Sequence, residues 1–166
     1  LSVIPPEMLR TRINFPGFNA GLLVRVEGWQ PSSGKWLGIV GPAGAHKTRC
    51  LAVLSRRLIS RGHRLAWTSA TDLQDKVEDL HAENAARRAA QDYLREIKTS
   101  AILVLDDLGK NTWTPSFERQ LFGLIDYRKT HDLPILWSAN TSPLEILQSG
   151  QLSKDRGAPL IGRLLE

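Results

Sequence analysis

The chain has 166 residues, 42% of them hydrophobic and 23% charged, which is one globular domain's worth of material with an ordinary core-to-surface balance. That balance excludes a disordered, collagen-like or coiled-coil chain, and the longest aliphatic run, Ala101 to Leu105, falls far short of the roughly 20 apolar residues of a membrane-spanning helix. The net charge of +5 is uneven: residues 1–70 carry ten Lys/Arg against two Asp/Glu, and a basic half of this kind attracts polyanions such as nucleotide phosphates or a nucleic-acid backbone.

Residues 1–35 show little periodicity. The start, Leu1-Ser2-Val3-Ile4-Pro5-Pro6, lacks the features of a secretory signal. Phe18 to Trp29 has the pattern of a short helix, and Gln30-Pro31-Ser32-Ser33-Gly34 reads as a turn. Four short apolar runs follow as predicted strands: Trp36–Val40, His63–Thr68, Ala101–Leu105 and Pro134–Ser138. Ala101–Leu105 is apolar throughout, as in a strand covered on both faces. Helical segments alternate with them. Lys47 to Ile59 places Cys50, Leu51, Val53, Leu54 and Leu58 on one side and is followed by Gly62. Thr71-Asp72-Leu73-Gln74 reads as a capping box opening a helix that runs, with a break, to about Lys98. Thr114-Pro115 and Ser142-Pro143 each place proline behind a hydroxyl cap, and Glu145 completes a box in the second. Gln148 to Pro159 is polar enough for a surface loop. Alternating strands and helices predict an α/β fold with a mostly parallel sheet.

The stretch Gly41-Pro42-Ala43-Gly44-Ala45-His46-Lys47-Thr48 links the first predicted strand to a helix. It meets the P-loop pattern, in which backbone N–H groups at a helix N-terminus cradle phosphates, a lysine reaches the terminal ones and a hydroxyl ligates Mg²⁺, except at His46, where the pattern has glycine. Three roles are open to His46: a tolerated residue with its N–H still donating, an imidazole contact to phosphate, or the mark of a poorly binding pocket. The buried strand ends in Asp106-Asp107-Leu108-Gly109, where the first acid would hold the metal and the second polarise a water. Asn140 ends the last strand, where it would orient that water or touch the terminal phosphate, or serve only as a turn residue. His63, His81 and His131 are too scattered for a zinc site, and the lone Cys50 cannot form an internal disulfide, so it reads as core filler in a reducing, cytoplasmic setting.

These pieces in this order resemble the AAA+ ATPases of the DnaC/IstB group, which comprises helicase loaders and the ATPase helpers of transposases. The resemblance lies in Gly41-Pro42-Ala43-Gly44…Lys47-Thr48-Arg49, Ile102-Leu103-Val104-Leu105-Asp106-Asp107-Leu108-Gly109, Leu121-Phe122…Ile125-Asp126-Tyr127-Arg128, Ser138-Ala139-Asn140 and Gly162-Arg163-Leu164-Leu165-Glu166, with Ile4-Pro5-Pro6 like the group's lead-in. It implies a P-loop three-layer αβα core that binds ATP and Mg²⁺, with residues 1–35 as a lead-in and 36–166 as a core that stops before the family's last strand and lid. It further implies that residues 41–49 form Walker A, including Ala45, His46 and Arg49, that Asp106 and Asp107 form Walker B, and that Asn140 is sensor 1. Arg163 would be an arginine finger acting on a neighbouring subunit, which makes hydrolysis depend on self-assembly. The implied partners are single-stranded DNA, with Arg87, Arg88 and Lys110 as candidate contacts, and a helicase or transposase. The competing readings are a nucleotide-binding scaffold that His46 has deprived of turnover and a P-loop small-molecule kinase. A GTPase would need an Asn-Lys-x-Asp motif, which the sequence does not contain.

Overall fold

The computed structural model describes residues 4–153 and 155–165; Leu1 to Val3, Lys154 and Glu166, which include parts of the lead-in and of the last family-like motif, lie outside the described residues. Four strands, β1 (Leu37–Val40), β2 (Leu65–Ser69), β3 (Ile102–Leu108) and β4 (Ile135–Ala139), form one parallel sheet in the order β1-β4-β3-β2. The helices are α1 (Ala20–Glu27), α2 (Lys47–Ser60), α3 (Ala70–Asp79), α4 (Asn84–Thr99), α5 (Pro115–Thr130), α6 (Pro143–Gln148) and α7 (Gly157–Leu165).

Period-two alternation along buried strands sends side chains into two cores. Leu65, Trp67, Ile102, Val104 and Leu136 face α1 and α2, where they pack with Leu23, Val26, Leu51, Leu54 and Leu58. Ala66, Leu103, Leu105, Ile135, Trp137 and Ala139 face the other way, against Leu73, Ile97, Phe117, Leu121, Ile125 and Leu160 of α3, α4, α5 and α7. The result is the expected αβα sandwich. Gly38 of β1 pairs with Trp137 of β4, and a Cβ at Gly38 would sit 2.2 Å from the indole, so glycine is what lets that ring lie across the strand.

Local chemistry sets most helix starts. Thr114 accepts from the Phe117 N–H, and Ser142 with Glu145 forms the reciprocal box read from the sequence. At α3 the expectation fails: Ser69, not Thr71, is the cap, accepting from the Asp72 N–H at 3.0 Å. The helix begins directly off the end of β2 because Ala70 is wholly buried there. The break within the predicted long helix falls at residues 80–83, between α3 and α4. The Gln148–Pro159 stretch is not all surface loop, since Leu152 is buried, Ser153 is tied to the buried Glu118 carboxylate and α7 starts at Gly157. Among the described residues no helix is long and apolar enough to cross a membrane.

Candidate functional site

The carboxyl ends of β1, β4 and β3 lie side by side, and residues at or just beyond those ends build the site. The Gly41 N–H continues the ladder to Ala139 O at 3.2 Å, after which the chain turns through Gly44 and His46, both at positive φ (78° and 61°), before α2 begins at Lys47. The N–H groups of that first turn lack intrahelical acceptors and carry the positive end of the helix dipole. Lys47 is only 6% exposed, and its ammonium donates to Gly41 O (2.8 Å), Pro42 O (3.0 Å) and Asn140 Oδ1 (2.8 Å). Burial lowers its pKa, while the nearby charges of Asp107 and Asp106 hold it up. Asn140 is delivered by β4, the strand between the phosphate loop and the acids.

The acids sit on a strand that runs three residues beyond the predicted end, because β3 bulges between Leu105 and Leu108 and then resumes pairing with Ala139. The bulge separates the two carboxylates by environment. Asp106 is buried, accepts from Thr48 Oγ1 at 3.2 Å and from Ser138 Oγ at 2.5 Å, and burial raises its pKa against those two bonds. Asp107 takes a left-handed conformation (φ 56°), donates its N–H to Ser138 Oγ at 3.0 Å and pairs with Lys110 Nζ at 2.6 Å. A cavity of about 180 Å³ lies between the loop, Asp107, Lys110 and Asn140.

Thr48 and Asp106 offer the hard oxygen donors that suit Mg²⁺, which keeps most of its shell as phosphate oxygens and water and so needs few protein ligands. Asp106 has no ion-pair partner among the described residues, so a buried carboxylate stands ready for a cation.

The sequence-predicted residues divide among four places. Lys47, Thr48, Asp106, Asp107, Asn140 and Lys110 converge on the cradle. His46 and Arg49 border the same cavity, and their side chains also contact the N-terminal segment, with the imidazole stacked on Phe18 and the guanidinium over Phe15. Arg163 lies on α7, bonded to Asp126 Oδ1 at 2.6 Å and to Pro159 O, above the Phe122 ring. The three DNA candidates do not form one patch: Lys110 is held by Asp107, Arg88 is exposed on α4, and Arg87 enters a groove of about 560 Å³ between α3, α4 and α5 together with His81, Arg95 and Lys98.

Two buried polar residues to which the sequence assigned no role stand out, Ser138 within the site and Arg128 at the opposite end of β4. Ser138 links both acids; a hydroxyl in an otherwise apolar strand, one residue before the Ala139-Asn140 end, was its signal. Arg128 is fully buried and donates to the carbonyls of Ile97, Lys98, Ser100 and Pro134, which joins the end of α4 to the start of β4. Burial brings its pKa down to about 9, which leaves it charged at neutral pH. A cation on the apolar stripe Leu121, Leu124, Ile125 was the sequence sign.

Known proteins share this fold. The replicative helicase loader DnaI of Bacillus subtilis (strain 168) is 24% identical over 143 residues, 82% of this chain and 45% of that protein, so the chain spans less than half of its relative. A crystal structure of DnaI superposes with a TM-score of 0.73 at 20% identity, covering 97% of this chain and 86% of that one. The replication initiator DnaA bound to AMPPCP and single-stranded DNA gives 0.71 at 19% identity, covering 99% and 49%. The fold is therefore that of the AAA+ P-loop proteins. The sequence model of the IstB-like ATP-binding proteins matches residues 33–149, the span from before β1 to the end of α6 that carries the loop, both acids and Asn140, and by that match the chain belongs to the IstB-like ATP-binding family.

Proposed function

We propose that the chain binds Mg²⁺-ATP in the cradle and uses binding and hydrolysis to assemble on single-stranded DNA and to load or activate a partner, a replicative helicase or a transposase. The observation that carries this reading is the convergence of the Lys47 ammonium, the Thr48 hydroxyl bonded to Asp106, and Asn140 at one helix N-terminus. On this reading the ammonium leaves the carbonyls of Gly41 and Pro42 for the β- and γ-phosphates, and Thr48 and Asp106 hold the metal. When bound, Mg²⁺ neutralises phosphate charge. Asp107 accepts the proton of the attacking water, which Asn140 orients. Arg163 of a neighbouring copy supplies the positive charge that stabilises the transition state.

One observation favours a second reading, a nucleotide-holding scaffold with little turnover. Asp107 is neutralised by Lys110 and Arg163 by Asp126, so both hydrolytic groups are engaged within the single chain. Assembly on DNA would release them; without it the chain holds nucleotide and turns it over slowly. The DNA contacts on this reading are the cations Arg87 and Arg88 of α4.

Titration with Mg²⁺-ATP should show saturable binding that Lys47→Ala abolishes, and equal affinity in that variant would remove the cradle assignment. Hydrolysis measured across protein concentration, with and without oligo-dT, should rise with both, and Arg163→Ala should keep ATP affinity while losing that rise. Flat, slow turnover under all conditions would leave the scaffold. Transfer of phosphate to a small-molecule acceptor in preference to water would instead indicate a kinase.

A further inference from the structure

Position 46 is where the chain departs from the P-loop pattern, and the imidazole there makes none of the cradle's contacts. The backbone is left-handed (φ 61°), a conformation that glycine adopts freely and a residue with a side chain holds only when its surroundings fix it. Those surroundings are aromatic. The ring stacks on Phe18 with centroids 6.4 Å apart and planes 7° from parallel, and meets Phe15 edge-on at 6.0 Å. Gly17 brings its backbone against the same ring, since a Cβ there would lie 3.8 Å from His46 Cε1.

Successive turns of α2 extend the same seam. Arg49 places its guanidinium 4.0 Å from the centre of Phe15 and reaches Thr11 Oγ1, and Arg56 donates to the carbonyls of Leu9 and Thr11. Residues 9–18 contain no helix or strand of their own, so side chains of α2 and its cap are what lay this segment along the phosphate loop.

We propose that residues 9–18 form a strap whose docking is coupled to ATP binding through His46, which makes His46 a positioning residue for the phosphate cradle. The peptide at position 46 sets where Lys47 leaves the loop and where the first free N–H groups of α2 point. A glycine there would sample many conformations, whereas an imidazole held between Phe15 and Phe18 keeps the loop in one and lowers the ordering cost of binding. By reciprocity, ATP in the cradle holds the strap down. This inference rests on the cradle reading above, and it argues against one of the three roles open to His46, that of marking a poorly binding pocket.

The test is a double-mutant cycle on Mg²⁺-ATP affinity with wild type, His46→Gly, Phe18→Leu and the double variant. It is paired with trypsin cleavage at Arg12, in the exposed part of the strap, with and without ATP. His46→Gly, although it restores the motif glycine, should bind about fivefold or more weakly, the range of a typical site-to-site coupling. Phe18→Leu should weaken binding similarly, the double variant should be no weaker than the worse single, and ATP should protect Arg12 in wild type but not in His46→Gly. His46→Asn accepts the left-handed backbone without a ring, so it should behave as His46→Gly; wild-type affinity in the Asn variant would overturn the role of the ring. Equal or tighter binding by His46→Gly, or losses that multiply across the cycle, would overturn the coupling itself. If wild type and Lys47→Ala bind ATP alike, the cradle reading fails; if binding needs Lys47 but ignores position 46, only the strap fails.

Discussion

Removing one oxygen from β4 should loosen both acids at once. Ser138 is fully buried; its hydroxyl donates to Asp106 Oδ1 at 2.5 Å and accepts the Asp107 N–H at 3.0 Å. Ser138→Ala deletes a hydrogen bond to a buried carboxylate, about 2–3 kcal/mol, and orphans a backbone donor in the bulge, about 1 kcal/mol more. The sum, about 3–4 kcal/mol, corresponds to a fall in Tm on the order of 6–16 °C for a domain of this size. The loss should depend on pH, because the deleted bond favours the charged form of Asp106, whose pKa burial already raises. Below the range where Asp106 ionises in the fold, the carboxyl is protonated with or without Ser138 and the penalty shrinks; above it the penalty is complete. Urea denaturation at pH 7 and pH 4 reads both effects. A cost under about 1 kcal/mol at pH 7, or an equal cost in an Asp106→Asn background, would refute the claim that Ser138 acts through that carboxylate.

Three further outcomes follow from packing. Gly38→Ala would put a Cβ 2.2 Å from the Trp137 indole and should cost roughly 1–3 kcal/mol, with a shift in tryptophan emission as the ring moves; unchanged stability and emission would contradict the packing. Gly123 lies inside α5 with nothing within 4 Å of an added Cβ, so Gly123→Ala should stabilise by roughly 0.5–1 kcal/mol in thermal melts, and a loss would reveal a contact at that surface. Burial pushes the Cys50 thiol from 9.0 up to about 11, so the unfolded chain ionises first as pH rises. Stability should fall between pH 9 and about pH 11 by up to about 3 kcal/mol, an effect that Cys50→Ala removes.

What the sequence made legible was whatever a few neighbouring residues decide. Thr114-Pro115 and Ser142-Pro143-Leu144-Glu145 cap their helices as read, because a cap needs only a hydroxyl and the N–H three residues on. The strands fall within two residues of their predicted starts, β3 because a doubly buried strand is written as an unbroken apolar run. Thr71 lost its place to Ser69 when the burial of Ala70, a tertiary fact, chose between two nearby hydroxyls. The end of β3 was misplaced for a similar reason. Two acids normally stop a strand, but here the Asp107 N–H finds its acceptor in Ser138, 31 residues away in the chain, and the strand survives them as a bulge.

The site divides along the same line. Motif spacing identifies Lys47, Thr48, Asp106 and Asn140 because their roles depend on where the backbone delivers them, and a strand end or a helix start delivers them almost regardless of neighbours. It does not reveal the state in which a group is held. Lys110 and Arg163 were read as cations free for DNA and for a neighbour's phosphate, and in the fold each is matched by a carboxylate, Asp107 and Asp126, at 2.6 Å. Both pairs are partly exposed and so worth little in stability. On the proposed function their consequence would be kinetic: with Asp107 polarising the water and Arg163 serving a neighbour's phosphate, both internal pairs would have to be exchanged for external partners before nucleotide is turned over. On that proposal turnover would follow assembly, and the dependence would reside in two carboxylate contacts that motif spacing does not predict.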